Sequence, residues 1–96
     1  MTVSFDIQHD ELAHRFHTVV DGQHCQLVYS LGGPGGAVMS IDHTGVPAAV
    51  GGRGIAAALV QAAFALARQR GWKVNPACSY AAVWAQRHAN VADLLV

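Results

Sequence analysis

Apolar and polar positions alternate with a period of two through the first half of the chain and shift to a period of three to four in the second. Val3, Phe5 and Ile7 alternate with Ser4 and Asp6, which predicts a first half-buried strand. Two further strand-like runs, residues 12–20 and 24–31, meet across Asp21-Gly22. An Asp-Gly pair between such runs predicts a two-residue hairpin, because a type I′ turn needs the positive φ that glycine accepts. That turn sets Val19 opposite His24 and His17 opposite Gln26. It puts Phe16, Thr18, Cys25, Leu27 and Tyr29 on the other face, the expected core side. A glycine-rich turn over residues 32–36 then leads into a fourth strand, 37–43.

From residue 54 to 70 the chain is rich in Ala, Leu and Gln, which favour helix. Ile55, Leu59, Ala63 and Leu66 recur at helical spacing, and Val60, Phe64 and Ala67 widen the apolar stripe. Such a helix is roughly 25 Å long. Arg68 and Arg70 fall in its last turn, where cations complement the dipole, and Gly71 is the expected C-cap. A fifth strand over 72–78 and a second helix from Ser79, its expected N-cap, to about Asn90 follow. The apolar tail 91–96 is expected to return to the core. The predicted fold class is α/β (α+β): a four-strand antiparallel meander, a helix, a strand parallel to the fourth through a right-handed crossover, and a C-terminal helix.

Composition narrows the function. At 96 residues the chain is expected to be one domain, spanning 1–96. Apolar residues make up 52% and charged ones 12%, too apolar for disorder, and no apolar run reaches the ~20 residues of a membrane helix. Six basic residues balance six acidic ones, which argues against a general nucleic-acid footprint. The N-terminus lacks the basic start and apolar run of a signal peptide, so Cys25 and Cys78 are expected as thiols and the protein as cytoplasmic.

The segment richest in chemistry is Asp42-His43-Thr44-Gly45-Val46-Pro47, followed by Gly51-Gly52-Arg53-Gly54-Ile55-Ala56. Here a strand ends, glycines turn the chain and a long helix begins. The first amides of a helix lack intrahelical partners and carry the positive end of its dipole. Glycines let an anion approach the backbone closely, and Arg53 adds a cation, a recipe for phosphate or pyrophosphate. The alternative is that these glycines only turn the chain. No Gly-Lys-Ser/Thr ending supports a Walker-type loop, and no Gly-x-Gly-x-x-Gly follows a parallel strand.

Taken together, Asp42-His43-Thr44 with Val46-Pro47, Gly52-Arg53-Gly54-Ile55-Ala56 with Leu59-Val60, Pro76-Ala77-Cys78-Ser79-Tyr80, Trp84 and Arg87-His88 resemble a minimal member of the GNAT acetyltransferase superfamily, the short YjdJ-like N-acetyltransferases. The resemblance spans nearly the whole chain. It implies that acetyl-CoA, as cosubstrate, lies where the fourth and fifth strands splay apart, with its pyrophosphate on residues 51–56 and with Thr44 and Val46 beside it. The superfamily loop usually begins with Gln or Arg, where this chain has Gly51. The helix pair that separates the first two strands of larger GNAT enzymes, and helps shape the acceptor site, is missing.

Acyl transfer to an amine needs an oriented thioester, a base for the amine and an acid for the leaving thiolate. His43 and Cys78 end the fourth and fifth strands, and parallel neighbours bring these ends to one edge. Histidine titrates near neutral pH and suits the base, or else caps the turn. Cys78 suits an acid for the leaving group; it can also act as a nucleophile, or be a small buried residue. Direct transfer is the expected route. Tyr80 matches, by position, the tyrosine acid of larger relatives. Asn75 is placed to meet the pantetheine amides, and Arg87 and His88 to reach the cofactor's phosphates, if they are not simply a solvated helix end. His9, His14, His17 and His24 form no ligand set, so no metal is expected. The acceptor is expected to be a small-molecule or peptide amine, with no nucleic acid or membrane partner. A non-catalytic acyl-CoA-binding module is the alternative, and a purely structural protein a third reading.

Overall fold

The hairpin at Asp21-Gly22 anchors a five-stranded sheet in the computed structural model of the protein, which describes residues 5–96. Asp21 and Gly22 have φ of 50° and 75°, the pair of positive values a type I′ turn requires. The strands are β1 (Gln8–Asp10), β2 (Arg15–Val20), β3 (Gln23–Gly32), β4 (Val38–Gly45) and β5 (Lys73–Asn75), side by side in chain order. Neighbours from β1 to β4 are antiparallel, and β4 with β5 is parallel. The expected register holds: Val19 faces His24 and His17 faces Gln26. Helix α1 (Ile55–Arg70) joins β4 to β5, and α2 (Ser79–Gln86) follows β5.

The alternation in the strands sorts their side chains by face. Phe16, Thr18, Cys25, Leu27, Tyr29, Met39, Ile41 and Val74 are buried. They share one cluster with Ile55, Leu59, Val60, Ala63, Phe64 and Ala67 of α1 and Ala81, Trp84 and Ala85 of α2, Thr18 being the polar exception beside it. Both helices therefore lie on one side of the sheet. Burying each Leu, Ile or Phe in that layer contributes about 1.5–3 kcal/mol. The chain's last residues return as expected: Val91 and Leu94 are buried, and Leu95 bridges Val74 in parallel. Arg68 holds this tail down with a two-pronged bond to Asp93, at 3.1 and 2.9 Å, and a 2.8 Å bond to the Asn90 carbonyl.

Several boundaries differ from expectation. The first strand was expected over 3–7, but the ladder begins at Gln8. Phe5 and Ile7 pack against the core without pairing, so their alternation reports burial rather than a strand; Val3 and Ser4 lie outside the described residues. Leu12 is 99% exposed in the β1–β2 turn, where the Asp10 carboxylate accepts a bond from Ala13 N–H, and β2 starts only at Arg15. Strand β4 runs on to Gly45 rather than His43. Strand β5 is cut to three residues because Pro76 cannot extend it and Ala77 N–H folds back on Asn75 O. Helix α2 stops at Gln86, and a separate 3₁₀ turn covers Ala89–Leu94. The N-cap of α2 is Cys78, with extended φ/ψ of −75° and 135°; Ser79 is already helical.

Candidate active site

The geometry of the site follows from one irregularity in β4. Tyr29 pairs with Ile41, but Val28 pairs with His43, so Asp42 is an extra residue on the β4 side of the ladder. A strand's side chains alternate between faces, and one inserted residue reverses the alternation beyond it. Ile41 points into the core. Beyond the bulge Thr44, opposite buried Leu27, is on the helix side, and His43, opposite Val28, is on the other. Two contacts agree. The Thr44 hydroxyl lies 3.7 Å from Cys78 Sγ at the start of α2, and a Cβ built on Gly45 would meet His43 Nε2 at 3.1 Å on the uncovered face. His43 and Cys78 thus reach the same edge of the sheet, as expected, but from opposite sides of β4.

The pairing between β4 and β5 ends at this place. The parallel ladder ends at Ser40–Asn75, and one more backbone bond, Cys78 N–H to Ile41 O at 2.8 Å, ties the segments together. Cys78 then sits at the N-terminus of α2. Burial works against ionising its thiol, but the amide of Ala81, the Thr44 hydroxyl and the amides of Tyr80 and Thr44 outweigh it and pull the thiol below its ordinary value. The contrast with Cys25 is informative. That thiol is sealed in the core with only a carbonyl at 3.7 Å, and burial pushes it up.

The glycine turn is open. Gly54 caps α1 with φ 84°, a conformation that costs a residue with a side chain, and no side chain caps the helix. The first amides of a 16-residue helix are therefore left without intramolecular partners at that end. A Cβ at Gly52 or Gly54 would meet nothing within 4 Å, while Val50 and Ile55 on either side are buried and pin the turn to the core. Gly51 is extended, at φ −64° and ψ 158°. Ala56 lies in the helix's first turn and Val46 packs partly on the core. Arg53 is exposed and holds Asp21 of the β2–β3 turn at 2.6 Å.

The family model of the GCN5-related N-acetyl-transferases matches residues 15–94. The chain belongs to that family. Its structure is similar to the NMR solution structure of a GCN5-like protein from Staphylococcus aureus, with a TM-score of 0.74 at 24% identity, over 96% of this chain and 88% of that one. At that identity the likeness carries the fold alone. No curated protein matches. The matched span begins with β2 and takes in β4, the glycine turn, both helices and the 3₁₀ tail, so it contains every candidate site residue of this GCN5-related chain.

Not all candidates converge. Thr44 and Cys78 meet on the helix side, with the amide of Tyr80 beside Cys78 Sγ and the Tyr80 side chain exposed, while Val46 and the turn 51–56 lie on the connection from β4 to α1. Asn75 pairs with Ser40, and both lie on the uncovered face, away from the turn. Arg87 and His88 follow α2, about 12 Å along the axis from Cys78. His88 stacks on Trp84 at 3.9 Å and takes part in a 2.7 Å bond between its Nδ1 and Trp84 O. It helps line a cavity of about 260 Å³ between α1, α2 and the tail, with Gln61, Phe64 and Arg68. Neither His43 nor Cys78 lines that cavity. Sequence reasoning passed over Ser40 and Asp42 as site residues: Ser40 donates a 2.9 Å bond to the Asp42 carboxylate on the His43 face. Their alternation with the buried Met39 and Ile41 was the available signal.

Proposed function

We propose that this chain is an acetyl-CoA-dependent N-acetyltransferase of the short YjdJ-like kind, transferring acetyl from CoA to a primary amine by direct attack. The observation that carries the reading is the two-sided arrangement at β4, with the Thr44–Cys78 contact on the helix side and His43 on the other. The uncapped start of α1, which follows β4 along the chain, suits the cofactor's pyrophosphate. The pantetheine runs from there past Val46 and Thr44, which brings the thioester to Cys78. The cofactor's nucleotide end extends along the helices toward Arg87 and His88.

The amine approaches from the His43 side. Its nitrogen bonds to the acyl carbon, His43 takes a proton from it, and the carbon–sulfur bond breaks. Cys78 gives the departing CoA thiolate a proton, and a thiol below its ordinary pKa releases that proton more readily. The amides and hydroxyl around Cys78 Sγ also favour a second route, in which its thiolate first accepts the acetyl group and releases CoA. Intact mass after incubation with acetyl-CoA and no amine separates the two: a gain of one acetyl group lost in Cys78→Ser marks the covalent route.

Calorimetry with CoA and release of CoA thiol in the presence of amines test the proposal. Binding must raise the melting temperature by mass action. The reading falls if saturating CoA gives neither heat nor a melting shift.

A further inference from the structure

The β2–β3 turn overhangs the edge of the sheet where β4 ends. Pairing with β4 stops at Gln26–Gly45, while β2 and β3 run on together to Val20–Gln23, so three further residues of β3, about 10 Å, project past that end. At the tip, Asp21 Oδ2 accepts a 2.6 Å bond from Arg53 Nη1 of the glycine turn. We infer, building on the transferase reading above, that Asp21 is a positioning residue acting through Arg53. It holds the guanidinium in the free protein, yields it to the pyrophosphate of arriving acetyl-CoA and reclaims it as spent CoA leaves.

Three observations carry this. The contact is a weak one. Arg68 grips Asp93 with two nitrogens and bonds the Asn90 carbonyl as well, and Arg70 bonds Glu11 while lying over the Trp72 ring at 5.5 Å. Arg53 uses one nitrogen, and both side chains of its pair stand in water, 47% and 66% exposed. An exposed pair of this kind contributes little, so a doubly charged anion can displace it. Second, the two backbones are fixed. Gly52 and Gly54 flank Arg53 with φ of 76° and 84°, buried Val50 and Ile55 hold the turn to the core, and the hairpin register fixes Asp21. Exchange of partner therefore asks only for side-chain rotation. Third, Arg53 is the one charged residue between 44 and 56, next to helix amides that no side chain caps. An anion seated at those amides draws the same guanidinium and is repelled by the Asp21 carboxylate.

The exchange bears on product release. Acetyl-CoA and CoA carry the same pyrophosphate, so contacts there hold substrate and product equally and add nothing to the chemical step. Product release limits turnover in many enzymes. A carboxylate waiting for Arg53 weakens the grip on both forms and shortens the stay of the spent cofactor. No covalent bond changes; one ion pair is traded for another.

Calorimetry and stopped-flow release of CoA test the inference with Asp21→Asn, Arg53→Gln and the double variant. Asparagine is at home in a type I′ turn, so Asp21→Asn keeps the hairpin and loses only the charge. It is expected to tighten CoA about fivefold and to slow its release by a similar factor, the scale of one exposed ion pair. In the Arg53→Gln background the same change is expected to alter affinity by less than about twofold. Unchanged or weaker CoA binding in Asp21→Asn overturns the inference and leaves the transferase reading standing. Equal tightening with and without Arg53 marks general charge repulsion and overturns the exchange. A lower melting temperature with unaltered CoA release marks a structural tie and overturns it too. Absence of heat from the wild type and every variant at saturating CoA sinks both readings. In NMR spectra of the wild type, the Arg53 Nε–H signal is expected to move on CoA addition. Movement confined to the backbone amides of 55–57 overturns the exchange.

Discussion

Along β3, Cys25, Leu27 and Tyr29 are sealed under the helices, while His24, Gln26, Val28 and Ser30 between them are half-buried or exposed. One strand therefore serves as the wall of a dry core and as a wet surface. On the dry side, packing sets the position of every group: Val50 and Ile55 fix the glycine turn, and Ala81 and Trp84 fix α2 under Cys78. On the wet side polar groups are held by single bonds or by none. That division matches the proposed chemistry, with a fixed cofactor seat on one side of β4 and the amine approaching from the other.

The dry side depends most on the aromatic packing between the helices. Phe64→Ala removes a ring that packs 5.2 Å from Trp84 between the two helices. It should cost about 3–5 kcal/mol, read by urea unfolding. A loss near zero would mean that the helix layer is not the dry side. Next, His43→Ala should lower kcat about 100-fold, the lower end of a general base's contribution, while CoA affinity by calorimetry stays put. Loss of CoA binding would place His43 on the cofactor side and contradict the bulge parity.

Thr44→Val addresses the thiol. A thiol ionises as pH rises, and its alkylation rate rises with the thiolate. The wild-type Cys78 profile should reach its midpoint below the ordinary thiol value. Removing the Thr44 hydroxyl moves that midpoint to higher pH, because burial then meets fewer opposing donors. A profile unmoved by the substitution would remove Thr44 from the cofactor side. The smallest effect belongs to Val19→Ala, on the uncovered face and 51% exposed: unfolding free energy should change by no more than about 0.5 kcal/mol.

Much of this was legible in the residues. Asp21-Gly22 dictates both the turn and the register, because a two-residue turn leaves the following pairs no freedom. The apolar stripe of α1, closed by Gly71 N–H on the Ala67 and Arg68 carbonyls, is equally local. Arg53, the cation beside the glycines, meets Asp21, 32 positions earlier, and no local pattern encodes such a meeting. Ser79 looked like the N-cap of α2, and the tie of Cys78 N–H to Ile41 O moved that role one residue back.

Periodicity, turn chemistry and helix caps are interactions among neighbours, so the residues alone dictate the order of elements, the sealed side of the hairpin and the exposed glycine turn before α1. Which side of β4 carries His43, and which carries Thr44 and Cys78, follows from the folded chain. It depends on one extra residue at Asp42 and on a contact between Thr44 and Cys78 across 34 positions. Side-chain parity in a strand flips with a single inserted residue, and the insertion is set by how the partner strand pairs rather than by the residues around it.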